Sequence, residues 1–434
     1  MSSQEGSPGR VPGRSRDGRR LASAGLAATA ALFAACAVLP STNPGGMDGG
    51  VGVGGSMTGA TGGATGMGGD TGGLKLGTGG PYTFPQHRVS GSCTLTSAAG
   101  ANDATMAAYT AWRTTFVTAT GAGAAGSLRV QRPTNQGDTV SEGIGYGMIA
   151  AVYVNDRTTF DGLWTYGKLH FNSKGLMSWH LTSGGAAIDQ GSASDGDVDM
   201  IWALIMASDQ WSSLDYLDAA HGMIDAMRRN SVGPDGTLKT GDTWGDTTFT
   251  NLSYFSPAYF RVFAVVSGDS NWSSAILNQN YRILTATSGA SGLVPDWTTN
   301  TSAVNTGFLM NGMFDNSTYG YDAARTPWRI AMDWCFNADT RAHDYLMKIG
   351  AFFNGIGAAN IGDGYALNGT PKSSNKNMAF IGPAGVAGMA GFPTLLDGAF
   401  NYGASGQGDQ SYFPSSLRMI SMLMMSGNFV DFTK

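Results

Sequence analysis

The sequence predicts an all-α domain built as two concentric rings of helices. Three observations carry this prediction. About a dozen stretches between Pro81 and Lys434 repeat apolar residues at helical spacing, several of them are apolar on nearly every face, and strands are scarce. A helix without a polar face has to be enclosed, which an inner ring shielded by an outer one achieves; function then sits on loops at one end. An irregular helical bundle satisfies the same periodicity.

The helices are expected in the following order. Ala104–Thr118 carries Tyr109, Trp112 and Phe116 at helical spacing, and Ser141–Asn155 and Thr158–Phe171 follow. Val198–Trp211 has Met200, Ala203, Leu204 and Ala207 on one face and Ile201, Ile205 and Met206 over most of the other, so it reads as buried nearly all round. Leu214–Asn230, Pro257–Ser267, Trp272–Thr287, Trp328–Trp334, Asp339–Phe353, Ala379–Met389 and Ser415–Met425 complete the series. Short runs such as LMSWHL, Leu176 to Leu181, are expected to pair locally as strands.

The chain outside this domain is of another kind. Residues 1–35 read as a signal peptide, in which a basic stretch ending in Arg19 and Arg20 precedes the apolar run Leu21–Leu39. Phe33, Ala34, Ala35 and Cys36 resemble a bacterial lipoprotein cleavage site, with Phe where Leu is usual. On that reading Cys36 is lipidated and tethers the protein to a membrane; cleavage after a small residue, or an uncleaved anchor, are the alternatives. Residues 36–80 are mostly Gly, Thr, Ser and Met and read as a flexible linker, leaving 81–434 as the catalytic domain.

Composition narrows the function. A net charge of −5 over 434 residues argues against a nucleic-acid surface. There is no CxxC, HExxH, GxSxG or P-loop, and the five histidines do not cluster, so neither a metal nor another cofactor is expected. Cys93 and Cys335 remain as a pair whose bonding the sequence leaves undecided.

Three acidic segments carry the chemistry. Asp195, Asp197 and Asp199 crowd the mouth of the apolar helix, where Ser194 or Asp195 could serve as a cap; three carboxylates exceed what capping needs. The EF-hand pattern fails, because Met200 and Met206 stand where Gly and Glu are required. Glu142 lies among Gly143, Gly145 and Gly147, which permit close approach of a backbone or ligand. Asp322 precedes Arg325 by three residues, near enough to be held ionised. Trp179, Trp244, Tyr254, Tyr321 and Tyr412 fall in polar, Gly-rich loops, where flat rings suit the faces of sugars. Carboxylates, rings and the lack of a metal motif together favour glycoside chemistry.

SEGIGYGM, ASDGDVDMIWALIMA, SYFSPAYFRVF, LVPDW, YDAARTPWR and SLRMISMLMMSGNF, in this order and over these distances, resemble glycoside hydrolase family 8 across Pro81 to Phe429. The resemblance implies an (α/α)6 barrel and an inverting mechanism. Glu142 would be the general acid, Asp322 the general base, and Asp195 the residue that grips and distorts the sugar at the cleavage point. Tyr254 would help to hold the water and Arg325 would stand beside the base, while Trp179, Trp244, Tyr321 and Tyr412 would line the sugar subsites. Inversion implies about 6.5–9.5 Å between the carboxyl groups of Glu142 and Asp322. Asp197 and Asp199 keep a structural reading only.

An Asp base in YDAxR resembles the cellulase and xylanase branch rather than the chitosanases, and DGDVD resembles the glucanases more than the DGEE of xylanases. A secreted, monomeric endo-β-1,4-glucanase acting on cellulose or mixed-linkage β-glucan is therefore expected. A xylanase or chitosanase of the same family, a polysaccharide lyase and a non-hydrolytic polysaccharide-binding protein are the alternatives. The Met-rich segment Met419–Met425 departs from the usual pattern and is expected to alter the groove wall.

Overall fold

A computed structural model describes residues 74–88, 92–244, 248–304 and 316–434. The expected signal peptide, Cys36 and the linker up to residue 73 lie outside the described residues. Among the described residues there are twelve α-helices: α1 (Ala101–Phe116), α2 (Ser141–Tyr153), α3 (Arg157–Leu169), α4 (Ser194–Gln210), α5 (Leu214–Asn230), α6 (Pro257–Ser267), α7 (Leu277–Thr287), α8 (Thr326–Asn337), α9 (Thr340–Ile356), α10 (Met378–Gly388), α11 (Pro393–Ser405) and α12 (Tyr412–Met425). Of these, α11 has no counterpart among the expected helices. Gly398 and Gly403 weaken its local signal. Its buried stripe of Leu395, Leu396, Ala399 and Phe400 nonetheless has helical spacing, with Pro393 in the first turn.

Even-numbered helices form the inner ring and odd-numbered ones the outer. Every residue of α4 and α10 is buried, as is all of α2 but Glu142 and all of α12 but Arg418. Outer helices bury one stripe, as α5 does with Tyr216, Ala220, Met223, Ile224, Ala226 and Met227. The inner ring closes in sequence, α2 on α4 and α12, α10 on α8 and α12, and α8 on α6. Between α4 and α6 the rings of Trp202 and Tyr259 stack at 4.2 Å. The fold is thus the (α/α)6 barrel.

Short antiparallel strands staple the loops: β1 (Val117–Thr118) with β2 (Arg129–Val130), β3 (Thr139–Val140) with β4 (His180–Leu181) and β5 (Ala187–Asp189), β6 (Phe249–Thr250) with β7 (Thr298–Thr299), and β8 (Thr318–Tyr319) with β9 (Tyr365–Ala366). The LMSWHL run accordingly contributes β4. Cys93 and Cys335 form a disulfide that ties the entering chain to α8. No helix among the described residues is long and apolar enough to cross a membrane.

Two local features differ from the sequence expectation. Residues 74–80, assigned there to the linker, lie along the barrel: the Lys75 amide donates to the Thr433 carbonyl (2.6 Å), the Thr78 amide to Asp209 Oδ1 (3.3 Å), and Leu74 and Leu76 pack on the core. Those two leucines are branched apolar residues of a kind that is sparse in the preceding Gly-rich run. Met419, Met422, Met424 and Met425 are buried inside α12, with Met422 against Gly403 and Met425 against Gly385. Met422 thus packs toward the outer helix α11 and Met425 toward the neighbouring inner helix α10, so these side chains fill the interior between helices rather than a groove wall.

The glycines of α2 serve packing between helices. A Cβ on Gly145 would come within 2.7 Å of Asp199 Cβ on α4, two backbone-fixed atoms that cannot move apart without separating the helices. Gly145→Ala gains about 1 kcal/mol of helix propensity. Overpacking should outweigh that gain at about 1–3 kcal/mol, so a lower midpoint in denaturant unfolding is expected.

Candidate active site

All six inner helices point their N-terminal ends at one place. Glu142 is the second residue of α2, Asp195 the second of α4, and Tyr254 closes a 3-10 turn just before α6. Asp322 and Arg325 flank the turn that leads into α8, Asn377 caps α10 through its side chain, and Tyr412 opens α12. Unpaired N–H groups and helix dipoles there favour negative charge.

Arg325 is the hub. Its Nη1 donates to Glu142 Oε2 and to Asp195 Oδ2, both at 2.7 Å, and its Nη2 donates to Asp322 Oδ1 at 2.6 Å. One guanidinium, 2 % exposed, thereby gathers the three carboxylates singled out in three separate motifs. Its face lies over the Tyr254 ring, 5.3 Å from the centroid, and near Phe413 at 5.8 Å. Burial opposes its charge, but Tyr146, Glu142, Asp195 and Asp322 around it raise its pKa well above the ordinary arginine value, so it stays a cation.

Charge does not balance here. With one cation among three carboxylates, the low-polarity surroundings favour keeping a proton. Burial pushes Glu142 up to about 7, with Arg325 opposing and Asp195 adding to the rise. Asp322 is also raised by burial, against the lowering effect of Arg325. A carboxyl that holds its proton near neutrality, next to a carboxylate held on a guanidinium, can donate and accept protons about one bond.

A surrounding shell fixes these groups. The Tyr412 hydroxyl donates to Glu142 Oε1 at 3.0 Å, which places this ring on the acid itself. Buried Arg132 clasps Asp138 through Nε (2.8 Å) and Nη2 (2.5 Å), and His180 Nε2 lies 2.8 Å from the same carboxylate. Arg132 is close enough to Glu142 to lower its pKa. Sequence reasoning missed this group, whose members lie on two segments, Arg132 and Asp138 on one loop and His180 on β4.

The acids of α4 diverge. Ala193 is the N-cap and offers no side-chain acceptor, so neither Ser194 nor Asp195 caps the helix. Instead the Ser194 amide donates to the Thr240 carbonyl, and Asp195 Oδ1 accepts the Gly196 amide at 2.8 Å. Asp199 takes both Nη atoms of Arg329, a pair with no exposure at all, the Nη2 contact at 2.8 Å. Burial raises Asp199 to about 6 in spite of Arg329. Asp197 is fully buried, and its pKa is pushed well above the carboxylate range by burial, with Ser192 opposing and Asp242 and Asp195 adding. Its neutral form is the one that fits that position.

The aromatic residues take distinct places. Trp179 is 4 % exposed and is tied to the start of α2, its carbonyl accepting the Ser141 amide at 2.9 Å. Trp244 is partly buried and donates its indole N–H to the Ser192 carbonyl at 2.8 Å. Tyr254 packs edge-on to Trp297. Partly buried Tyr321 donates to Asp363 Oδ2 at 2.7 Å and lies edge-on to Phe380. Tyr254 and Tyr412 thus join the carboxylate cluster directly, and Tyr321 adjoins it through the chain.

A family model described as glycosyl hydrolases family 8 matches residues 83–427. Endoglucanase C of Ruminiclostridium cellulolyticum is 36 % identical over 364 residues, covering 80 % of this chain and 76 % of that protein. A beta-glucanase of Niallia circulans is 32 % identical over 377 residues, covering 80 % and 90 %. Among solved structures, an apo beta-1,3-1,4-glucanase from Paenibacillus sp. X4 superposes with a TM-score of 0.74 at 31 % identity, covering 80 % of this chain and 98 % of that one.

The chain has only two glutamates, Glu5 and Glu142, so glutamate labelled with 13C at the side-chain carboxyl reports on this site almost alone. A Glu142 titration centred well above that of Glu5 is expected in the NMR spectrum. The Tyr412 hydroxyl favours the ionised carboxylate, so Tyr412→Phe should move the Glu142 titration to higher pH. A midpoint that stays put or falls would contradict the contact.

Proposed function

The chain belongs to glycosyl hydrolase family 8 and is an endo-acting β-glucanase, and we propose that it cuts β-1,4 bonds of cellulose or mixed-linkage glucan with inversion. The observation that carries this reading is the meeting of Glu142, Asp195 and Asp322 on the single Arg325 guanidinium.

Glu142 acts as general acid. Its carboxyl, titrating at about 7, keeps its proton for the leaving glycosidic oxygen at neutral and mildly acid pH. Asp322 acts as general base: held by Arg325, it takes a proton from the water that attacks the anomeric carbon from the opposite face. The sign of the pH dependence follows. Activity needs Glu142 protonated and Asp322 ionised, so it falls as pH rises through about 7 and falls again in acid as Asp322 gains a proton. Asp195, on the same guanidinium nitrogen as Glu142, grips the sugar at the cleavage point. Tyr254 helps to hold the water beside Arg325, Tyr412 tunes the acid, and Trp179, Trp244 and Tyr321 border the sugar path.

The protein is exported as a monomer, with Cys36 lipidated and the Gly-rich linker giving the barrel reach to a polymer. Two observations support export: the apolar run after Arg19 and Arg20, and the Cys93–Cys335 disulfide, a bond that persists in oxidising compartments. Mass spectrometry of the protein from its native envelope should find a diacylglycerol-modified Cys36 as the first residue; a mature terminus beyond Cys36 would contradict the anchor.

For the purified protein, reducing sugar should be released from carboxymethylcellulose or mixed-linkage β-glucan in preference to xylan and chitosan. Glu142→Gln and Asp322→Asn should each lower kcat by about 10²–10⁴-fold with the unfolding midpoint retained. Activity confined to xylan or chitosan would reject the glucan assignment, and a near-normal rate in either variant would reject that residue's role.

A further inference from the structure

Asp296 is a buried carboxyl that the mechanism above does not use. It is 8 % exposed and sits in the segment before β7, its amide donating to the Thr318 carbonyl at 2.9 Å. Its Oδ1 accepts two backbone N–H groups, from Gly320 at 3.0 Å and from Ala323 at 2.7 Å. Those two residues bracket Tyr321 and Asp322, so the turn that carries Asp322 is wrapped around one side-chain oxygen. The fit is close: a Cβ on Gly320 would lie 2.2 Å from Asp296 Oδ2, although the backbone there is not in the left-handed region.

The next residue extends the same control to a second group. Trp297, with no exposure, packs against Tyr254 at 6.3 Å, Trp244 at 6.2 Å and Phe249 at 5.9 Å between ring centroids. Two consecutive residues therefore set the position of the carboxylate and of the tyrosine that lies under Arg325. The titratable and charged groups acting on Asp296 are Asp322, which with burial raises its pKa, Arg325, which lowers it, and Tyr319, whose own pKa it raises. A protonated carboxyl suits that site, since Oδ1 still accepts both N–H groups and no second full negative charge stands beside Asp322.

We propose that Asp296 is a positioning residue for the general base, holding the 320–323 turn so that the Asp322 carboxylate and the Tyr254 ring stay in register. The proposal rests on the reading of Asp322 as that base. Asp296→Ala, Asp296→Asn, Gly320→Ala and Asp322→Asn are compared with wild type on mixed-linkage β-glucan, with kcat and KM determined separately and folding followed by thermal unfolding. Displacement of the base acts on the chemical step, so Asp296→Ala should lose about 10²-fold in kcat with KM within about threefold of wild type. Asp296→Asn, whose amide oxygen can accept the same two N–H groups, should recover most of that loss.

Unchanged kcat in a folded Asp296→Ala variant would overturn the proposal. So would an equal loss in Asp296→Asn, or a loss that appears only in KM. If Asp296→Ala does not fold, Gly320→Ala decides: it presses on the carboxyl without removing it, a drop in kcat being expected and wild-type kcat contradicting the inference. Wild-type activity in Asp322→Asn would instead refute the assignment of the base, an outcome distinct from all of these.

Discussion

The buried guanidinium of Arg325 is the constraint on which the site depends. Removing a charged group from water costs several kcal/mol even after relaxation, and three carboxylates packed round one cation leave an excess of negative charge that the interior does not tolerate. The least costly response is for one carboxyl to remain protonated. Burial and Asp195 push Glu142 in that direction to about 7; burial raises Asp322 as well, against Arg325, which gives it a guanidinium nitrogen to itself.

The barrel exists in a form that can support such a cluster. The inner helices α2, α4, α10 and α12 are buried almost throughout, and the N-terminal ends of the inner ring supply N–H groups and positive dipole ends where the acids meet. Two buried arginines divide the work. Arg325 gathers Glu142, Asp195 and Asp322, and Arg329, four residues on, pairs with Asp199 so that α4 can pass through the core. Close contact between α2 and α4, made through Gly145, sets Glu142 and Asp195 side by side.

Much of this was legible in the sequence because the relevant signals are local. Apolar periodicity located eleven of the helices, and each carboxylate that meets Arg325 lay in a short motif with its own local oddity: glycines after Glu142, like charges beside Asp195, an arginine three residues after Asp322. What was not legible is the pairing across the fold. No pattern along the chain joins Asp199 to Arg329, 130 residues away, or Tyr412 to Glu142, 270 residues away, or Cys93 to Cys335. Helix capping misled at Asp195 because local preference yields when a buried cation offers a better partner. One usable signal was the near absence of glutamate, which leaves Glu142 as the only one in the domain.

The central claim is that Glu142 and Asp322, poised in opposite protonation states on Arg325, act on opposite faces of one sugar. Proton NMR of the first minutes of mixed-linkage β-glucan hydrolysis tests it most directly, because the anomeric signal of the new reducing end appears before mutarotation mixes the forms. The account predicts that the α-anomer appears first. Initial formation of the β-anomer would mean retention, and with it a role for Asp322 other than the activation of water.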